Sequence, residues 1–131
     1  MIDPSAPLAS WFLWIVAIAF LFAFALPLLV VPLDWARVFR WRVPSGDNQL
    51  TEYFGRCLGA VAVAIVVCAV RAAPRPRNHP VLFELLIISG GLLTAVHAWG
   101  AIRRRQPWTE TVEIALYAGL TVAGVWIYRR L

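Results

Sequence analysis

The sequence predicts an all-α integral membrane protein: an antiparallel bundle of four transmembrane helices, with a short interfacial helix after the first. Three observations predict it. The 131 residues are 61% hydrophobic with a mean hydropathy of +0.73, too apolar for one soluble domain of this size. Four stretches, 10–33, 53–70, 81–102 and 114–128, approach the ~20 apolar residues needed to cross about 30 Å of hydrocarbon. The twelve basic residues are all arginine and gather between those stretches, a topology signal rather than a nucleic-acid surface. The helices are expected at about 10–33, 50–71, 80–103 and 109–129 of a single domain covering 1–131.

The first stretch has no basic residues before it and is longer than a signal peptide's apolar core, so it is expected to persist as a helix of the mature chain. It has no polar stripe and reads as mainly a lipid-facing wall. Pro27 and Pro32 bound "PLLVVP", where the helix should kink or end. "LDWARVFRWR" then sets Trp35, Val38 and Phe39 on one face among three arginines, the pattern of an interfacial helix. "VPSGDN" is a turn, from which Asp47 or Asn48 can cap the second helix. "RAAPRPRNHP" is a stiff basic loop whose Pro80 suits the first turn of the third helix, and Glu84 is read there as a first-turn acid. "RRRQPWTETVE" is the third loop, with Thr109 as cap and Glu110 as an acid favoured by the helix dipole.

Short connections favour an up-down order. The seven tryptophans lie near expected helix ends, as an aromatic belt requires. Seven arginines (37, 40, 42, 56, 103, 104, 105) fall on the side of the first and third loops. Five (71, 75, 77, 129, 130) fall on the side of the termini and second loop, which orients both termini outside. Cys57 and Cys68 are too far apart on one helix for a disulfide and read as small packing residues.

Charges enter the membrane at one level. Only fourteen residues separate Arg56 from Arg71, roughly 21 Å of helix, so a polar group must enter or the bilayer must thin. Glu113 stands similarly at the start of the fourth helix, and His97 lies about a turn before the third helix ends. Helical spacing aligns Glu52, Arg56, Gly59 and Ala62 on the second helix. It also aligns Glu84, Ile87, Gly90, Thr94 and His97 on the third, and Glu113, Tyr117, Thr121, Gly124 and Tyr128 on the fourth. Since lipid exposure of a charge costs ~2.5–3.5 kcal/mol, Arg56, Glu113 and His97 are expected to share a polar cluster. Glu52 supports Arg56 at i, i+4, and Tyr117 and Thr94 lie alongside.

Three readings stay open for that cluster: an arginine snorkelling to headgroups, an Arg–Glu register lock, and a ligand or catalytic site. His97 alone reads as a hydrogen-bonded packing residue, and with His79 expected near the opposite face, haem held by two histidines of this chain is not expected. No catalytic residue, metal cluster, phosphate loop, redox pair or cofactor site is read from the sequence. Gly55-x-x-x-Gly59, Gly90/Thr94 and Ala115/Gly119 match small-residue packing motifs.

"EYFGRCLGA" opening the second helix, the small residues before "HAWGA", and "PWTETVEIALY" opening the fourth resemble, over about residues 48–128, the DoxX-like group of small bacterial four-helix membrane proteins. The resemblance implies a compact bundle with an acid and an arginine near one end of helix two, in a group many of whose members lack an assigned activity. The Arg-x-x-x-Asn-x-x-Glu motif of membrane-associated glutathione transferases is absent, because Gly46 stands four residues after Arg42 and Ala60 four after Arg56. Sterol isomerases of the emopamil-binding type need a fifth helix that this chain lacks. The expectation is therefore a membrane protein without its own catalysis, an accessory or stabilising subunit in the bacterial inner membrane. Its expected partners are lipids and other membrane proteins or a second copy, not nucleic acid. The competing expectation is a lipid- or small apolar ligand-binding protein, an isomerase among the options, with its site at Arg56, His97 and Glu113.

Overall fold

A computed structural model describes all residues, Met1–Leu131. The chain is all-helical, and four of its helices are long and apolar enough to cross a membrane: Pro7–Val30, Gln49–Ala72, Pro80–Ile102 and Trp108–Tyr128. Its contacts divide into two compact units, Leu13–Arg71 and the combination of Met1–Phe12 with Ala72–Leu131.

Most of the first span belongs to the unit Leu13–Arg71. It runs as α1 (Pro7–Phe20), one wide turn (Leu21–Ala25) in which the Leu26 N–H reaches Leu21 O, and α2 (Leu26–Val30). Pro27 causes the irregularity: it has no N–H to give the carbonyl four residues back, Ala23, so that acceptor is orphaned in an apolar span. The indole N–H of Trp35 donates to it at 2.9 Å. Val31 then breaks the helix at φ −133, ψ 57, outside the α region that a following proline disfavours, and α3 (Pro32–Val38) begins on Pro32. Trp35 reaches back because its ring is packed between Phe24 (5.3 Å, edge-on) and Phe39 (4.5 Å, stacked), with Phe20 stacked on Phe24 at 4.8 Å.

A reciprocal C-cap ends α3, with Arg40 N–H on Arg37 O, Trp41 N–H on Ala36 O, and Arg40 itself at φ 64. The carboxylate of Asp47 accepts from the Gln49 N–H and opens α4 (Gln49–Ala72), one of the two capping options. Two glycines of α4 let the chain come close. A Cβ on Gly55 would strike the Pro32 ring, and one on Gly59 would strike the backbone of Leu28 and Leu29. The Gly55-x-x-x-Gly59 motif is thus occupied within the chain. Cys57 and Cys68 are free and exposed, so neither is the packing residue the sequence suggests.

In the other unit the N-terminal segment turns back on Ser10. The Ser10 hydroxyl is fully buried, accepts from Asp3 N–H at 2.9 Å and donates to Ala73 O at 2.6 Å. Ser5 donates to Asp3 through its N–H and hydroxyl, and these bonds hold the Asp3 carboxyl below the usual carboxylate range. The first helix therefore starts at Pro7, three residues before the expected boundary. Ala9, Ser10, Leu13, Ala17, Ala25 and Leu28 are buried, but most of this span stays open, with Trp11, Ile15, Ile18 and Phe22 exposed, as expected of a helix that mainly faces outward.

Helices α5 (Pro80–Ile102) and α6 (Trp108–Tyr128) form a hairpin. Gly90 meets Thr121, Gly124 meets Ile87, and the Tyr128 hydroxyl donates to Glu84 at 2.5 Å, so residue numbers fall on one helix as they rise on the other. Glu84 is consequently a partner across the hairpin and not a first-turn acid. Pro80 does open α5. At the other end, Arg104 N–H bonds Ala101 O and Arg105 N–H bonds Gly100 O, with Arg104 at φ 50. Pro107 precedes α6 and no side chain caps it, so Thr109 lies inside the helix instead of capping it. Trp99, Trp108 and Trp126 are exposed near helix ends, and Arg103 and Arg130 lie over the Trp99 and Trp126 rings.

Candidate functional site

The hairpin brings His97 of α5 against the first two turns of α6. His97 lies two residues after Ala95 and five before the end of α5, while Glu110 and Glu113 follow Trp108 at spacings that put both on one helical face. The His97 Nε2 stands 3.0 Å from Glu110 Oε2 and 3.6 Å from Glu113 Oε2. All three side chains are nearly closed to the surroundings, exposed by 11%, 8% and 14%. The ligand atoms of the three lie within 4.8 Å of one another.

The other ring nitrogen settles the histidine's orientation. His97 Nδ1 is 2.7 Å from the carbonyl of Leu93, one turn back. A carbonyl can only accept, so Nδ1 carries a hydrogen and Nε2 is the nitrogen offered to the carboxylates. Tyr117, one turn beyond Glu113, hydrogen-bonds its carboxyl and packs its ring at 5.0 Å from the imidazole. No buried side-chain nitrogen or oxygen in the chain lacks a hydrogen-bond partner.

Of the residues singled out from the sequence, His97, Glu113 and Tyr117 converge here. Thr94 is on the same helix as His97, but its hydroxyl donates to Gly90 O at 2.8 Å, within its own helix. Arg56 belongs to the unit Leu13–Arg71. It pairs there with Glu52 at 2.6 Å, as the i, i+4 spacing predicts, and both side chains are substantially exposed. Glu110 is the residue the sequence reading missed. As a first-turn acid it suits the helix dipole, yet its carboxyl is buried and makes the shorter of the two carboxylate contacts with His97. The available signal was the run Glu110-x-x-Glu113-x-x-x-Tyr117, three polar groups on one face of α6.

Chemically, an imidazole nitrogen facing two carboxylates can hold a proton or a cation between them, and the phenol orients one carboxylate. The absence of metal-binding groups inferred from the sequence rested on treating His97 as isolated. No protein-family model, no curated protein and no solved structure matches the chain.

Proposed function

We propose that this is a small integral membrane protein without catalysis of its own, acting as an accessory or stabilising subunit of a membrane assembly. One observation carries the reading: the chain's polar groups are closed on themselves while its spans present large apolar side chains outward. His97 is engaged at both nitrogens, and no buried polar side chain is left to meet a substrate. Along α5, Val81, Leu85, Ile88, Leu92, Val96 and Trp99 form one exposed stripe over the whole helix. The His97–Glu110–Glu113 contact then acts as a lock on the hairpin, holding that stripe in a fixed position for lipid or a neighbouring helix.

On this reading the four spans run antiparallel in up-down order, supported by the short connections 73–79 and 103–107. Helix α3 lies in the interface, and both termini are on the non-cytoplasmic side of a bacterial inner membrane, supported by the arginine distribution. Membership of the DoxX-like group is part of the same proposal. Mild-detergent extraction of the tagged chain, expressed from its own locus, followed by native mass spectrometry, tests it. A stoichiometric membrane-protein partner is expected. Recovery of the chain alone with a retained lipid or small apolar molecule would refute it and favour a binding protein whose site adjoins His97 and Glu113, where imidazole, carboxyl and phenol lie together.

A further inference from the structure

We propose that His97, Glu110 and Glu113 form a binding site for one divalent transition-metal cation of the zinc class, bridging α5 and α6. The inference goes beyond the accessory role and holds or fails independently of it.

The donor set comes first. One imidazole and two carboxylates are ordinary ligands for such a cation, with bonds of about 2.0–2.2 Å. Ligand atoms around a tetrahedral centre of that size are roughly 3.3–3.6 Å apart. The nitrogen-to-oxygen distances of 3.0 and 3.6 Å bracket that spacing, and all three donor atoms lie within 4.8 Å of one another, so rotation of the carboxylates towards each other lets them share one ion.

The second observation lies outside the three ligands. The Leu93 carbonyl fixes a hydrogen on Nδ1, so the neutral imidazole would direct the Nε2 lone pair at two oxygens that also carry lone pairs. Three such atoms repel unless positive charge lies among them. A proton on Nε2 can serve Glu110 at 3.0 Å, but the Glu113 oxygen at 3.6 Å is too far for a hydrogen bond. A single cation serves all three at once. Its two positive charges also cancel the two carboxylates, which a low-dielectric span would otherwise leave uncompensated.

The surroundings match those of a held ligand set. Metal-binding histidines characteristically donate their second N–H to a backbone carbonyl, as His97 does to Leu93. Tyr117 orients the Glu113 carboxyl by a hydrogen bond and abuts the imidazole with its ring, so neither ligand is free to turn away.

The test uses the full chain in detergent, purified without chelator through a tag containing no histidine. Zinc content is measured by elemental mass spectrometry, affinity by competition with a chromogenic chelator, and coordination by the visible absorption of cobalt(II) as a substitute. Stoichiometric zinc and an intense tetrahedral cobalt spectrum are expected. His97→Gln and Glu110→Gln should each weaken zinc binding at least about tenfold, since loss even of an outer-sphere partner costs about 10–100-fold. Tyr117→Phe should weaken it less. Zinc should raise the thermal midpoint of the native chain more than that of His97→Gln or Glu110→Gln. The proposal is overturned if the native chain takes up no more zinc or cobalt than His97→Gln, which would make the cluster a proton-filled lock. Uptake unchanged in all three variants overturns it equally. Should the variants fail to fold, a native midpoint unmoved by zinc overturns it alone.

Discussion

Cutting the His97–Glu110 contact should destabilise the α5–α6 hairpin more than any exposed substitution in the chain. The side chains are 11% and 8% exposed and 3.0 Å apart, and removing one partner of a buried pair costs about 3–5 kcal/mol because the other is left uncompensated. The two deletions should not be equal. After Glu110→Ala, Glu113 remains 3.6 Å from the same nitrogen and can move in, so the cost belongs near the lower end, about 3 kcal/mol. After His97→Ala two carboxylates face each other with nothing between them, and the cost belongs near about 5 kcal/mol. For a chain of this size roughly 3–5 °C accompanies each kcal/mol, so His97→Ala should lower the thermal midpoint in detergent by about 15 °C or more. The measurements are made with chelator present, so that they report the side chains alone. The double variant should cost less than the sum, with a coupling of about 1–3 kcal/mol. A coupling within about 0.5 kcal/mol of zero refutes the lock. So does a His97→Ala effect no larger than that of Thr94→Ala, which removes a hydroxyl bonded only to its own helix.

The glycines separate sharply. Gly59→Ala should destabilise by about 1–3 kcal/mol because the Leu28–Leu29 backbone cannot move aside, whereas Gly119→Ala meets nothing within 4 Å and should stabilise by about 0.5–1 kcal/mol; equal effects in thermal unfolding would count against both. Trp35→Phe keeps the aromatic stack but removes the donor on Ala23 O, and should cost about 1–3 kcal/mol, with faster amide exchange across Leu21–Ala25 as the local readout. Arg104→Gly should stabilise by about 1 kcal/mol by relieving a left-handed backbone at φ 50, and a lower midpoint would show that the arginine side chain contributes more than its conformation costs. Breaking the exposed Arg56–Glu52 pair should yield a coupling of only about 0.3–0.5 kcal/mol in a double-mutant cycle.

Much of the fold was legible because apolar length and proline position are local signals. The spans at 49–72, 80–102 and 108–128 lie within a residue or two of their expected limits, and Pro32 and Pro80 open helices as their missing N–H dictates. What misled was context. The first helix begins at Pro7 because Ser10 is drawn inward by Asp3 and Ala73, contacts seven and sixty-three residues away that no local pattern contains. Thr109 and Glu84 have the right chemistry for helix starts but lie too far into their helices.

Glu110 is hidden for a different reason: its position on the helix and the direction it faces are separate facts. An acid in a first helical turn does favour the dipole, but position along a helix says nothing about the direction in which a side chain faces. The facing direction follows from the hairpin's register. Glu84 with Tyr128, Ile87 with Gly124, and Gly90 with Thr121 are paired numbers that sum to 211 or 212. Both helices rise equally per residue, so His97 must lie opposite about residue 114 of α6. The inward-facing residues nearest that level are Glu110, Glu113 and Tyr117, the groups found around the imidazole. A single close contact between small residues in the middle of the hairpin thus fixes which acids the histidine meets. Sliding α6 by one turn towards the 103–107 connection would put Ile114 and Tyr117 where Glu110 and Glu113 stand and take both acids from the histidine without altering a charged residue.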